Sequence, residues 1–179
     1  MDYKELKECL SYEKKINLGN YADSYIKQLY LIIIRHPAWL RWQYIKYLRL
    51  SDNYTGWRRV FYLRKKNKIA SYVNIEINCG RNIEKGILFY HNGPIIINSN
   101  AKVGCNCKIH GNVCIGNNGK DDKAPKIGDN VEIGVGVNII GPVIIASGTF
   151  IGAGAVVNKD IVEPNTVVCG VPAKSVKNI

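Results

Sequence analysis

Apolar positions along the chain change their spacing once, between Ile69 and Tyr72. Before that point they recur three and four residues apart with Lys and Arg between them, the spacing of one face of an α-helix. The pattern predicts helices over residues 2–15, 21–35 and 38–50. A short fourth helix, capped by Asp52 or Asn53, is expected to run into the basic stretch RRVFYLRKKNK at residues 58–68. His36-Pro37 divides the second helix from the third, because a residue before proline is pushed out of the α region whereas proline itself suits a helix's first turn.

Beyond Tyr72 the period is six. Ile97, Val103, Ile109 and Ile115 stand six apart, and after a gap of twelve the series resumes at Ile127, Ile133, Ile139, Ile145, Ile151 and Val157. Ile77 and Ile83 fit the same frame. The residue after each aliphatic is most often Gly or Asn, and the one four places on is small or β-branched. Six is neither the helical period nor the simple alternation of a flat strand; it describes a short strand and a corner, repeated. Three such units close a triangular coil whose aliphatics point into a narrow prism. The expected architecture is mainly β: a parallel β-helix in residues 71–179, behind an α-helical segment in residues 1–70.

The repeat breaks twice. Ile83 to Ile97 is fourteen residues, two more than a multiple of six, and His91 lies inside that stretch. Departures from an otherwise strict pattern favour function. In the second break Asp121 falls where an inward aliphatic belongs, and a carboxylate does not enter an apolar prism unpaired. Residues 117–126 are therefore expected to leave the coil as a projecting loop.

Charge separates the two parts further. Residues 1–70 carry fifteen Lys/Arg against six Asp/Glu, and residues 71–179 carry ten against eight. All three tryptophans, and every tyrosine but Tyr90, precede residue 73. Aromatics interleaved with basic residues are read first as helix packing with solvated charges, and second as a peripheral contact with a membrane surface; no nucleic-acid role is assigned. No apolar run approaches the ~20 residues of a membrane span, and MDYKELKECL lacks a secretory layout, so a cytoplasmic location and unpaired cysteines are expected. Cys105, Cys107 and Cys114 have no partner pair at metal-ligand spacing, so no metal is expected.

The strings GILFYHNGPIII at 86–97, IGNNGKDDKAPKIGDNVEIGVG at 115–136, IGAGAVV at 151–157 and GVPAKSV at 170–176 resemble the hexapeptide-repeat acyltransferases. Within that family they are similar to serine acetyltransferases and to acetyltransferases of polysaccharide gene clusters. The resemblance implies a left-handed β-helix, acetyl-CoA as co-substrate and a homotrimer with active sites between neighbouring prisms. It makes His91 the general base that takes the acceptor's hydroxyl proton, a role suited to imidazole, with Glu76 as the carboxylate behind it. For coenzyme A it points to Asn117, Asn118, Val135 and Ala153, with Lys174 meeting the phosphates.

Two positions depart from the family's serine enzymes. Tyr90 stands in place of the aspartate before the catalytic histidine, and Ala124 in place of a second histidine. With Tyr90 and His110 as acceptor contacts, these departures lead to the expectation of a sugar acceptor, free or lipid-linked, in surface polysaccharide synthesis. The alternatives are serine acetylation for cysteine synthesis and a non-catalytic scaffold. The terminal Ile179 is similar to the residue by which serine acetyltransferases dock a sulfhydrylase, but only five residues follow Lys174, too few for that reach.

Overall fold

The computed structural model describes residues 1–178; the terminal Ile179 and any docking role for it lie outside the described residues. Four helices come first: α1 (Tyr3–Leu18), α2 (Tyr25–Ile33), α3 (Pro37–Asn53) and α4 (Gly56–Val73). Asp2 and Glu5 form a reciprocal capping box at the start of α1. Pro37 opens α3, as the His36-Pro37 step implies. The fourth helix differs from expectation in length and start. It runs eighteen residues from Gly56, while Asp52 and Asn53 belong to the end of α3. Asp52 is engaged elsewhere, accepting from the Gly80 amide at 2.7 Å.

Fourteen short strands follow: β1 (Ile75–Ile77), β2 (Leu88–Phe89), β3 (Ile95–Ile97), β4 (Lys102–Val103), β5 (Lys108–Ile109), β6 (Val113–Gly116) and β7 (Lys126–Ile127), then β8 (Glu132–Ile133), β9 (Asn138–Ile140), β10 (Ile144–Ile145), β11 (Phe150–Ile151), β12 (Val156–Val157), β13 (Thr166–Cys169) and β14 (Lys174–Asn178). They stack into three faces of a left-handed parallel β-helix. One face holds β1, β3, β6, β9 and β12, the second β4, β7 and β10, and the third β2, β5, β8, β11 and β13. Strand β14 turns back antiparallel on β13. All ten aliphatics of the six-residue series are buried, none more than 4% exposed, and the residues four places on from Ala101 to Ala155 are buried beneath them. The prism admits nothing larger at those positions, which is why the period is legible in the sequence.

The first coil has no coil below it, so its backbone groups face the helices instead of a neighbouring strand. Side chains take the strand's place. Tyr44 Oη accepts from the Ile77 amide at 3.0 Å, and Lys66 Nζ donates to the Ile77 carbonyl at 2.6 Å. Arg49 Nη1 donates to the carbonyls of Gly80 and Ile83 and its Nη2 to that of Glu84, while Glu13 Oε1 accepts from the Gly86 amide. Asn17 Nδ2 donates to the Ile87 carbonyl at 3.1 Å. The helices thus cap the solenoid end and satisfy the polar groups an open parallel edge would leave unmet.

The aromatics of the helical part divide. Trp42 and Tyr44 are buried, and Tyr62 packs between Tyr47 and Tyr54. Trp57, Val60 and Phe61 are exposed on α4, with Arg58 over the Trp57 ring and Lys65 over the Phe61 ring. Among the described residues no helix is long and apolar enough to cross a membrane.

Candidate active site

The two extra residues of the first break fall at one corner. Phe89 pairs with Ile109 and Ile95 with Val113, so the stretch from Phe89 to Ile95 is six residues where the coil above uses four. Tyr90 stays in register, its amide donating to the Ile109 carbonyl at 3.0 Å, and the surplus lifts His91, Asn92 and Gly93 out of the regular path. Arg41 of α3 holds this protrusion, its Nη1 donating to Asn92 Oδ1 at 2.9 Å, and burial lowers the Arg41 pKa. His91 is exposed at the corner, beneath Gly111, where an added Cβ would stand 3.6 Å from that of His91.

The same insertion decides which ring lies over which. His110 is nineteen residues after His91, but the corner's extra length aligns it with Tyr90. Their rings stack at 4.6 Å between centroids and 23° between planes. The His91 ring lies 6.0 Å from that of His110 and 6.4 Å from that of Tyr90. Behind them, His110 Nε2 is 3.1 Å from Glu132 Oε1, and Lys108 Nζ donates to Glu132 Oε2 at 3.3 Å. Partial burial works against ionising Glu132, yet the hydrogen bonds from His110 and Lys108 outweigh it and hold the carboxyl below its ordinary range.

The structure thus brings together Tyr90, His91 and His110. It adds Glu132, Lys108 and Arg41, which sequence reasoning missed. Counting one eighteen-residue coil from Lys108 lands on Lys126; the loop adds six residues, so the true neighbour is Glu132. Knowing that the loop consumes one whole hexad would have found it. Glu76 lies on the outer face of β1, paired in register with Ile96; it is exposed and makes no hydrogen bond to His91.

The coenzyme candidates fall into two places. Gly134 and Gly152 continue the Tyr90–His110 column, and Val135 and Ala153 continue the His91–Gly111 column, both exposed. Gly170 is next above Ala153, and exposed Lys174 follows at the start of β14. Four coil spacings, about 19 Å, separate the His91 level from Gly170. The floor of this corner is small: a Cβ on Gly154 would meet nothing within 4 Å, whereas one on Gly134 would approach the Ile151 carbonyl oxygen to 2.7 Å. Asn117 and Asn118 lie elsewhere, at the start of a loop between β6 and β7. There Asn117 Nδ2 donates to the Asp121 carbonyl and Asn118 Oδ1 accepts from the Lys120 amide. Asp121 is exposed in this loop and Ala124 is buried at its end. The face that begins after the His91 corner ends at the loop, so one chain does not bring Asn117 and Asn118 beside His91.

Residues 124–159 match the family model described as "Bacterial transferase hexapeptide (six repeats)". Over 119 residues the chain is 41% identical to serine acetyltransferase 3, mitochondrial, of Arabidopsis thaliana, covering 65% of this chain and 30% of that protein. It is 33% identical over 121 residues to the serine acetyltransferase of Escherichia coli K12, covering 66% of this chain and 44% of that one. The matches span less than half the length of these curated relatives. The soybean serine acetyltransferase apoenzyme superimposes with a TM-score of 0.74 at 30% identity, over 97% of this chain and 69% of that chain.

These likenesses correct the expectation of a sugar acceptor, because the proteins matched in sequence and structure are serine acetyltransferases. The physical reason lies at Tyr90. Its ring, read as a sugar platform, has one face taken up by the His110 ring, which halves the apolar surface open to a sugar. Charged groups, which a sugar does not require, stand directly behind it. With its hexads, its single projecting loop and its histidine corner, the chain belongs to the hexapeptide-repeat transferase family and is a relative of the serine acetyltransferases within it.

Proposed function

We propose that the protein is a serine O-acetyltransferase, moving the acetyl group of acetyl-CoA to the hydroxyl of L-serine. The observation that carries this reading is the 41% identity over 119 residues to a serine acetyltransferase, a stretch long enough to include most of the β-helix. His91 accepts the hydroxyl proton as the oxygen attacks the thioester carbonyl. The same imidazolium then returns the proton to the departing thiolate, which balances the transfer. The small, open corner from Val135 through Ala153 to Lys174 suits a long thin pantetheine chain, with the lysine as a phosphate contact.

A homotrimer completes the site in this proposal. The Asn117–Asn118 loop and the His91 corner bound opposite ends of one face, and a neighbouring prism brings the loop of one chain to the corner of the next. The division into a helical segment of residues 1–70 and a β-helix of residues 71–179 belongs to the same reading, with the first capping the second. A cytoplasmic location is part of it, as is peripheral contact with anionic membrane through α4. That helix exposes Trp57, Val60 and Phe61 among Arg58, Arg59, Arg64, Lys65 and Lys68 and carries no acidic residue. Steady-state assays of thiol release with acetyl-CoA test the function. Saturable dependence on L-serine, with O-acetylserine as product, supports it; release independent of L-serine rejects it.

A further inference from the structure

Helix α2 presents a wide apolar surface that none of the described residues covers. Of its nine residues only Leu31 is buried. At about 100° per residue, Ile32, Tyr25, Leu29, Ile33, Ile26 and Tyr30 succeed one another around the helix over about 160°, and Leu31 lies opposite the middle of that arc. All six are exposed, Ile26 at 80% and Ile33 at 72%. Single exposed apolar side chains are ordinary, but six that adjoin are not. A helix of nine residues is also too short to be stable by itself in water, so its stability comes from what it packs against.

Width and charge together say what covers it. A helix that meets a core or a partner helix presents a stripe of about 100°, because the neighbour touches it along one line. An arc of nearly half the circumference suits instead a fluid apolar phase that closes around side chains of any outline. The charge agrees. Residues 24–75 carry eleven Lys/Arg against one acid, Asp52, and that carboxylate is bound to the Gly80 amide. Lys27 and Arg35 are exposed at the two ends of α2. Tyr25 and Tyr30 stand near the two edges of the arc, where an apolar ring with a polar tip suits the boundary between acyl chains and headgroups. The helix is about 13 Å long, far short of the ~30 Å of a bilayer's hydrocarbon core, so it lies in the surface and does not cross it.

We propose that α2 is an interfacial anchor, lying in the plane of an anionic lipid surface with Ile26, Leu29 and Ile33 among the acyl chains and Lys27 and Arg35 at the phosphates. The anchor deepens the peripheral contact proposed through α4 and rests on it. The basic face of α4 draws the protein to the surface, and α2 holds it there by insertion. Neither step depends on the identity of the acceptor.

The test uses the full chain with vesicles of phosphatidylcholine and phosphatidylglycerol in equal parts, and vesicles of phosphatidylcholine alone as the uncharged control. Ile26→Gln/Ile33→Gln removes apolar surface from α2 while leaving its charge and its buried Leu31 unaltered. Partitioning to the mixed vesicles falls about tenfold or more, with the urea midpoint and coenzyme A binding as in the wild type. Arg64→Gln/Lys65→Gln on α4 weakens binding at low salt only, whereas the α2 variant binds more weakly at low and high salt alike. Hydrogen exchange at the α2 amides slows when the wild-type protein is on the vesicles. Equal partitioning of the α2 variant and the wild type overturns the anchor and leaves the α4 contact standing. A smaller mass in solution for the α2 variant than for the wild type, without vesicles, also overturns it, since a second copy then covers the arc. Wild-type protein that binds neither vesicle overturns both membrane contacts and leaves serine acetylation to its own assay.

Discussion

Arg49 Nη2 lies 2.7 Å from Glu13 Oε1, with both side chains buried between the helices and the first coil of the β-helix. Burial alone would disfavour the guanidinium's charge, but Glu13 more than offsets it, so the Arg49 pKa is raised. The pair is a hub as well as a bridge, because Arg49 also donates to three backbone carbonyls and Glu13 accepts from the Gly86 amide. Removing either partner leaves the other charge buried and unmet. Arg49→Met and Glu13→Ala are each expected to cost about 3–5 kcal/mol of folding stability. Urea midpoints that fall by less than the equivalent of about 1 kcal/mol would show that water replaces the cap.

His91→Ala is expected to lower turnover about 10²–10⁴-fold while coenzyme A still binds, as loss of a general base should. Near-normal turnover removes the residue from the chemistry. Glu76→Gln is expected to cost less, since Glu76 makes no hydrogen bond to His91.

Arg41 reaches the His91 corner from α3 through its hydrogen bond to Asn92. If that contact sets the height of the protrusion, Arg41→Ala lowers kcat by up to about 10²-fold, the scale of a misplaced reacting group, with little change in urea midpoint. Equal losses in stability and rate would make Arg41 a packing residue instead.

Alkaline pH is expected to weaken the fold through its buried thiols. Burial, with the nearby Glu13 charge, pushes Cys9 up to about 11, and burial foremost pushes Cys107 up to about 11. In the unfolded chain both ionise near ~8.5, so their contribution is full below that pH and is lost as pH rises toward 11. Glu132 has the opposite sign: its depressed pKa adds stability above ~4.3 that is lost in acid. Cys107→Val places in the prism the residue type already found at Val113, Val131 and Val137, and should remove part of the alkaline loss. An identical drop between pH 8 and 10.5 in both proteins removes Cys107 from that loss, and the same result in a Cys9→Ala, Cys107→Val double variant refutes the thiol origin.

The proposed trimer is checked by mass in solution. A variant with residues 118–123 replaced by a short Gly-Ser link should keep that mass, since the β-helix carries no residue of this span in its core, yet bind coenzyme A at least tenfold more weakly. A monomeric wild-type protein with full activity removes the intersubunit site.

The β-helix was legible because its rule is local and repeated. An inward position in a narrow prism accepts Ile or Val at Ile109, Ile133 or Ile151 and little else, so the period shows without knowledge of any partner. The two breaks were visible for the same reason, as positions where that rule fails. Which residues the breaks bring together was another matter. Two extra residues at the corner aligned His110 with Tyr90, where an eighteen-residue coil would set it over Asn92, and six in the loop aligned Glu132, not Lys126, with Lys108. The tyrosine read as a platform for a sugar is already stacked on a histidine. The capping of the first coil by Glu13, Tyr44, Arg49 and Lys66 was equally invisible, because side chains on helices meet backbone groups from distant parts of the chain. Local spacing determines the coil; the register between coils, set by insertions that only the folded chain resolves, determines the site.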